Sequence, residues 1–223
     1  MTFKARIVAL PFVMATTLPA VAVARVPNQG SILCRPCSDC SDDSGPRIVH
    51  VRMYNQTRLR ESVFANILEV SNRIWAPYGI SIEPGTDSDA ITVVVSGGTM
   101  RGAIDGSPIA VGDTLFTQGH ATPYIHLWLG GAESLARNSG SDGQSFTMKP
   151  PMERDAILLR MLGVALAHEL GHYLLDSADH SAGGLLRPTL ATREMEQPDP
   201  AHLRLTRKQV LLMCQRPGAA VVQ

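Results

Sequence analysis

Residues 156–181 read AILLRMLGVALAHELGHYLLDSADHS, and the reading of this stretch decides the rest. It lies mostly within residues 152–175, the longest helical pattern in the chain. Inside that pattern His168, Glu169, Leu170, Gly171 and His172 form an H-E-x-x-H motif. At about 3.6 residues per turn the two histidines stand one above the other, so both imidazoles can meet one metal ion. Glu169 lies about 100° round the helix, aside from the ligand positions and near a water that such an ion carries. Zinc lowers the pKa of a bound water towards ~7, and a carboxylate beside it can take the proton and hand it to a leaving amine. The competing reading is an ordinary amphipathic helix with two packed histidines, so the motif needs a further ligand.

One helix supplies only two ligands. After His172 the chain reads YLLDSADHS, and the polar Asp176-Ser177-Ala178-Asp179 piece ends the helix and lets His180 swing back. His180 is the expected third ligand, with Asp179 and Asp176 as fallbacks. A second arrangement takes a downstream glutamate from another helix, as gluzincins do. Glu194 and Glu196 are its candidates, but Pro188, Pro198 and Pro200 surround them and oppose a regular helix there.

Upstream, residues 47–54 (RIVHVRMY) alternate and are β-branched, which predicts a strand. Thr57 can cap a helix running to about residue 76, with Leu59, Val63, Ile67, Val70 and Ile74 at helical spacing. Short strands are expected over 79–83, 91–96, 113–117 and 124–129, the third of these lying in a Gly-rich, edge-like segment. Residues 130–151 read as a polar surface loop, and Thr206 caps a last helix ending near Cys214. No internal repeat is visible.

With these elements in place, the chain resembles the metzincin metallopeptidases, and among them the matrixins. Their pattern is H-E-x-x-H-x-x-G-x-x-H, often followed by Ser, and then a turn carrying Met beneath the metal. The residues that match are His168, Glu169, His172, His180, Ser181 and the turn Gly184-Leu185-Leu186-Arg187-Pro188. The resemblance implies His168, His172 and His180 as zinc ligands, Glu169 as general base, and a peptide substrate extended along an edge strand, best guessed here between residues 107 and 117. The chain departs from the family in three places. The gap from His172 to His180 is two residues longer, the helix-ending glycine is Leu175, and the turn methionine is Leu186 or Leu185. A helix that ends later, near Asp176, would remove the need for glycine, and Leu for Met keeps an apolar floor of similar volume.

Residues 1–24 read as an export leader, with Lys4 and Arg6 ahead of an apolar run and Ala22-Val23-Ala24 as a small-x-small cleavage site. Residues 25–46 then form an arm with Cys34, Cys37 and Cys40 in C-x-x-C-x-x-C spacing, and Cys214 stands far downstream. In an exported chain disulfides are the expected use, and each of the three possible pairings joins Cys214 to the arm. A sharper alternative, drawn from the matrixin pro-segment, places a thiolate of Cys34 or Cys37 on the zinc. Lys+Arg and Asp+Glu are both 20, so no strong field calls for nucleic acid or an anionic membrane. The hydrophobic fraction of 44% is enough for a core and argues against wholesale disorder. His50, His120, His126 and His202 read as packed, surface or loop histidines. Arg187 is the nearest candidate for a second oxyanion donor, since no tyrosine presents itself near the turn.

The expectation is therefore an α+β fold. It comprises a twisted mixed sheet, a long active-site helix and an irregular C-terminal part closed by a helix, all in one metzincin-like domain over residues 47–223. The expected function is that of a monomeric zinc endopeptidase, secreted or periplasmic, acting on a peptide or protein substrate, with no nucleic-acid partner and no stable membrane insertion after leader removal. The competing classes are a gluzincin-type hydrolase and a non-catalytic exported module that retains a zinc.

Overall fold

Alternating β-branched sequence and one long helical stretch segregate into a mixed sheet with helices against it. The computed structural model describes residues 4–9, 47–60, 64–99, 109–139 and 145–214. The six strands are β1 (Lys4–Ala9), β2 (Arg47–Gln56), β3 (Ile80–Pro84), β4 (Ile91–Ser96), β5 (Ile109–Thr117) and β6 (His120–Trp128). Helices α1 (Phe64–Trp75), α2 (Leu129–Ser139), α3 (Pro151–Leu175), α4 (Thr192–Glu196) and α5 (Arg207–Cys214) complete the order. This is the α+β class that the sequence leads one to expect.

The strand order is β1-β5-β6-β4-β2-β3. Strands β3, β2, β4 and β6 run parallel to one another, whereas β5 is antiparallel to β6 and β1 is antiparallel to β5. Period-2 burial puts Val49, Val51, Ile80, Ile82, Ile91, Val93, Val95, Ile125 and Leu127 on one face of the sheet, where they join α1 and α3 in a single core. Residues 4–9, read above as leader and not as fold, form an edge strand, with Ala5 opposite Thr114 and Arg6 opposite Asp113.

The site helix α3 is fixed from two sides. Between Ile157 and Leu175 every residue is buried except Arg160 and Tyr173. Trp75 at the end of α1 donates its indole N–H to Ala167 O at 3.1 Å, one residue before the H-E-x-x-H motif. Gly163 lets α1 come close, since a Cβ there would lie 2.6 Å from Val70 Cβ and 3.0 Å from Ile67 O.

The structure corrects three boundaries. Residues 130–151 are no plain loop, because α2 covers most of the first half, burying Leu129, Ala132, Leu135 and Ala136 at helical spacing. Helix α1 is described from Phe64, and Thr57 instead makes a local turn in which Leu59 N–H donates to its hydroxyl at 3.0 Å. Strand β5 begins at Ile109, four residues before the expected edge segment. The closing helix does follow Thr206, whose hydroxyl accepts from Gln209 N while Gln209 Oε1 accepts from Thr206 N. No helix among the described residues is long and apolar enough to cross a membrane. Cys34, Cys37 and Cys40 lie outside the described residues, and with them the disulfide and thiolate readings.

Candidate metal centre

The site grows from the last three turns of α3. His168, Glu169 and His172 are all fully buried. His168 donates from Nδ1 to Leu185 O at 2.7 Å, and His172 donates from Nδ1 to Ser177 O at 2.7 Å. These bonds fix the neutral tautomer of each ring with its bare Nε2 lone pair aimed inward. The two Nε2 atoms are then 2.9 Å apart. Neither ring has a proton to place between them. Burial first, and then the repulsion of a charged His172 or His180, holds His168 well below the ordinary value of 6.5. Burial takes His172 from 6.5 down to about 4, against a smaller upward pull from its bond to Ser177. Two facing lone pairs at that distance repel unless a cation lies between them, so the donor set fits a metal ion.

His180 completes the group. Helix α3 continues through Leu175, and Asp176 takes the left-handed conformation, at φ 47°. Its N–H and that of Ser177 return to Tyr173 O and His172 O. The turn brings the His180 ring to 5.5 Å from that of His168 and 4.8 Å from that of His172. One nitrogen from each of the three rings lies within 4.8 Å of the others, and this trio could hold a metal ion. No other group of three or more His, Cys, Asp or Glu side chains among the described residues does so.

The glycine that the resemblance asks for is thus not missed at Leu175, because the αL residue comes one position later. Asp176 tolerates that conformation and uses its carboxylate as a clamp. Its Oδ1 accepts from Ala121 N at 2.6 Å, and its Oδ2 meets His120 Nδ1 at 2.8 Å. The end of α3 is thereby tied to the start of β6. Asp176 is engaged elsewhere and is no ligand, and Asp179 is exposed and outside the trio.

The floor of the site is the turn after His180. Ser181 N donates to Leu186 O at 2.7 Å, and Leu185 N donates to Arg204 O at 3.0 Å. Leu186 is buried directly under Gly171, where an added Cβ would come within 2.6 Å of Leu186 Cδ2. Of the two candidates for the apolar floor, Leu186 holds the place, and Leu185 supplies the carbonyl that orients His168. Gln209 of α5 donates to Ser181 Oγ at 3.2 Å and braces the same turn.

Other expected residues fall away from the trio. Glu194 accepts from Arg187 and from Ala191 N at 2.9 Å, which holds its carboxyl below the usual range despite partial burial. Arg187 makes that pair through Nη2. Glu196 accepts from Ser139 at 2.6 Å, and neither glutamate belongs to the trio. His126 stacks on Trp128 at 3.7 Å and meets Ser96 Oγ. His50 and His202 lie beside Asp87 and Asp199.

Sequence reasoning missed the seat of Glu169. Thr114 on β5 is fully buried and donates to Glu169 Oε2 at 2.7 Å, with Glu169 O at 3.0 Å. Gly112, two residues earlier on the same face, leaves the space that Glu169 fills.

The chain matches no family model, and it is similar in sequence to no curated protein.

Proposed function

We propose that this protein is an exported zinc-dependent endopeptidase of metzincin type. The observation that carries the reading is the convergence of three imidazole nitrogens within 4.8 Å, two of them stripped of protons by carbonyl partners, with a buried carboxylate on the adjacent helical position. His168, His172 and His180 would hold the ion. Three protein ligands are the number found in catalytic zinc sites, whereas structural zinc takes four. When bound, zinc supplies Lewis acidity, polarising a carbonyl and making water a nucleophile near neutral pH. Glu169 accepts the proton of the attacking water at its carboxylate and delivers it to the leaving amine. Leu186, buried under Gly171, gives the helix end an apolar floor.

The sheet supports a peptide as substrate. Strand β5 borders the site through Thr114 and is antiparallel to β6. Its outer edge already accepts an extended segment, since β1 pairs along it from Lys4↔Leu115 to Ala9↔Ile109. Those residues belong to the leader, so export and cleavage after Ala24 would vacate the edge for a substrate strand held by main-chain hydrogen bonds. The element order, in which β2, α1 and further strands precede the site helix, is consistent with the resemblance drawn from the motif.

Zinc content and cleavage of a denatured protein, compared between the exported wild type and Glu169→Gln, test the reading. The expected result is about one zinc per chain in both, with turnover lower by about 10²–10⁴-fold in the variant. Zinc in both proteins with no cleavage by either identifies a binding module instead. Absence of zinc from both overturns the metal centre itself.

A further inference from the structure

We infer that Thr114 is a positioning residue for the general base, holding the Glu169 carboxylate at the working edge of the trio. The inference rests on the peptidase reading above and deepens it. Glu169 sits on a buried stretch of helix, and a glutamate has three rotatable bonds, so something must select one carboxylate position from several. The contact that does so comes from the neighbouring strand. The Thr114 hydroxyl donates to Oε2 at 2.7 Å, and to the ionised carboxylate that a general base requires, which can only accept, such a bond is charge-assisted. The longer 3.0 Å approach to Glu169 O is to a helical carbonyl and leaves the shorter bond as the directing one.

Strand β5 is shaped for this on both inward positions. An added Cβ at Gly112 would lie 3.0 Å from Glu169 Cγ and 3.3 Å from Oε1, tighter than ordinary contact. Glycine leaves room for the side chain, and threonine two residues on fixes its tip. Because Thr114 is fully buried, no water competes for the hydroxyl. The same strand that would align a peptide therefore also aims the base. Substrate register and proton transfer share one rigid element.

The test compares exported wild type with Thr114→Val, which keeps the shape and removes the donor, and Thr114→Ser, which keeps the donor. Three quantities are read: zinc affinity, kcat and KM on a peptide, and the affinity of acetohydroxamate, a zinc-binding probe whose proton a neighbouring carboxylate takes up. For Thr114→Val we expect kcat and hydroxamate affinity each lower by about 10- to 100-fold, with KM and zinc affinity within about threefold of wild type. Thr114→Ser should stay within about threefold throughout. If Thr114→Val does not fold, Thr114→Ala takes its place. Unchanged kcat and hydroxamate affinity in the donor-less variant overturn the inference, as does an equal loss in Thr114→Ser. If wild type binds zinc and hydroxamate but cleaves nothing, the peptidase reading fails, and the hydroxamate comparison still decides for or against Thr114. Crystal structures of wild type and Thr114→Val decide the matter without zinc or turnover. A Glu169 carboxylate displaced in the variant supports the role, and one that has not moved overturns it.

Discussion

Without a bound metal this protein should be acid-sensitive through its buried imidazoles, and the share of one ring can be traced. His172 is buried, and its value falls from 6.5 to about 4 in the fold. The unfolded chain therefore takes up a proton that the native state refuses. Stability is fully present above the unfolded value, declines as pH falls through 6.5, and stops declining once pH is below about 4. That fall from 6.5 to about 4, at about 1.4 kcal/mol per pH unit, is worth about 3.5 kcal/mol, of which roughly 2–3 kcal/mol is lost between about pH 7 and about pH 4.5. His168 is displaced in the same direction and adds to the loss.

Urea unfolding of chelator-treated protein across that pH range measures the slope. Carboxylates such as Glu194, held low by Arg187, also lose native stabilisation on acidification, so the raw slope mixes sources. The comparison that isolates the ring is wild type against His172→Gln, both metal-free. The variant should show a slope shallower by most of that amount, or, for a domain of this size, an acid-induced fall in Tm smaller by about 5–10 °C. Equal slopes in the two proteins would refute the picture of a neutral imidazole buried against Ser177.

Two further perturbations test how the site helix is held. Gly163→Ala ordinarily gains about 1 kcal/mol in a helix interior. Here the new methyl meets Val70 Cβ and Ile67 O, neither a flexible end, so overpacking of about 1–3 kcal/mol should win and the urea midpoint should drop with m unchanged. A variant more stable than wild type would mean that α1 and α3 are not in such close contact. Asp176→Gly relieves the left-handed backbone but deletes the bond to Ala121 N, the more protected of its two contacts. The net expectation is a loss of about 1–2 kcal/mol in chemical denaturation, and a gain would mean that the carboxylate clamp contributes nothing.

How far the chain could be read in advance follows from how local each signal is. The H-E-x-x-H pair needs only the helical repeat, so the register of His168 and His172 was legible from spacing alone. The strand expected at 47–54 declared itself by β-branched alternation, and that at 91–96 by a short apolar run. Helix α2 did not, because Gly130 and Gly131 look like loop sequence. They are glycine for a packing reason, since a Cβ at Gly131 would lie 2.2 Å from Ala110 O, and one at Gly130 would lie 2.8 Å from Gly98 O. Leu175 did not mislead, because the longer gap already pointed to a helix end near Asp176. That leucine stands where the metzincin pattern ends the helix with glycine, yet the two extra residues before His180 let the turn move to Asp176.

The seat of Glu169 is the extreme case. Thr114 lies 55 residues from the glutamate it touches, in a strand whose flanks are Gly-rich and weakly periodic, and nothing in either segment refers to the other. Only sheet order brings them together. Strand β5 must turn back antiparallel beside β6 for Gly112 and Thr114 to face α3, and the Asp176 clamp at Ala121 fixes the hairpin that makes the turn. Ligand spacing is thus written in a few neighbouring residues, whereas the aim of the base depends on the closure of the whole sheet edge. On the proposed reading, a chain that kept H-E-x-x-H but lost this hairpin would keep its helical ligand pair and lose the geometry for proton transfer.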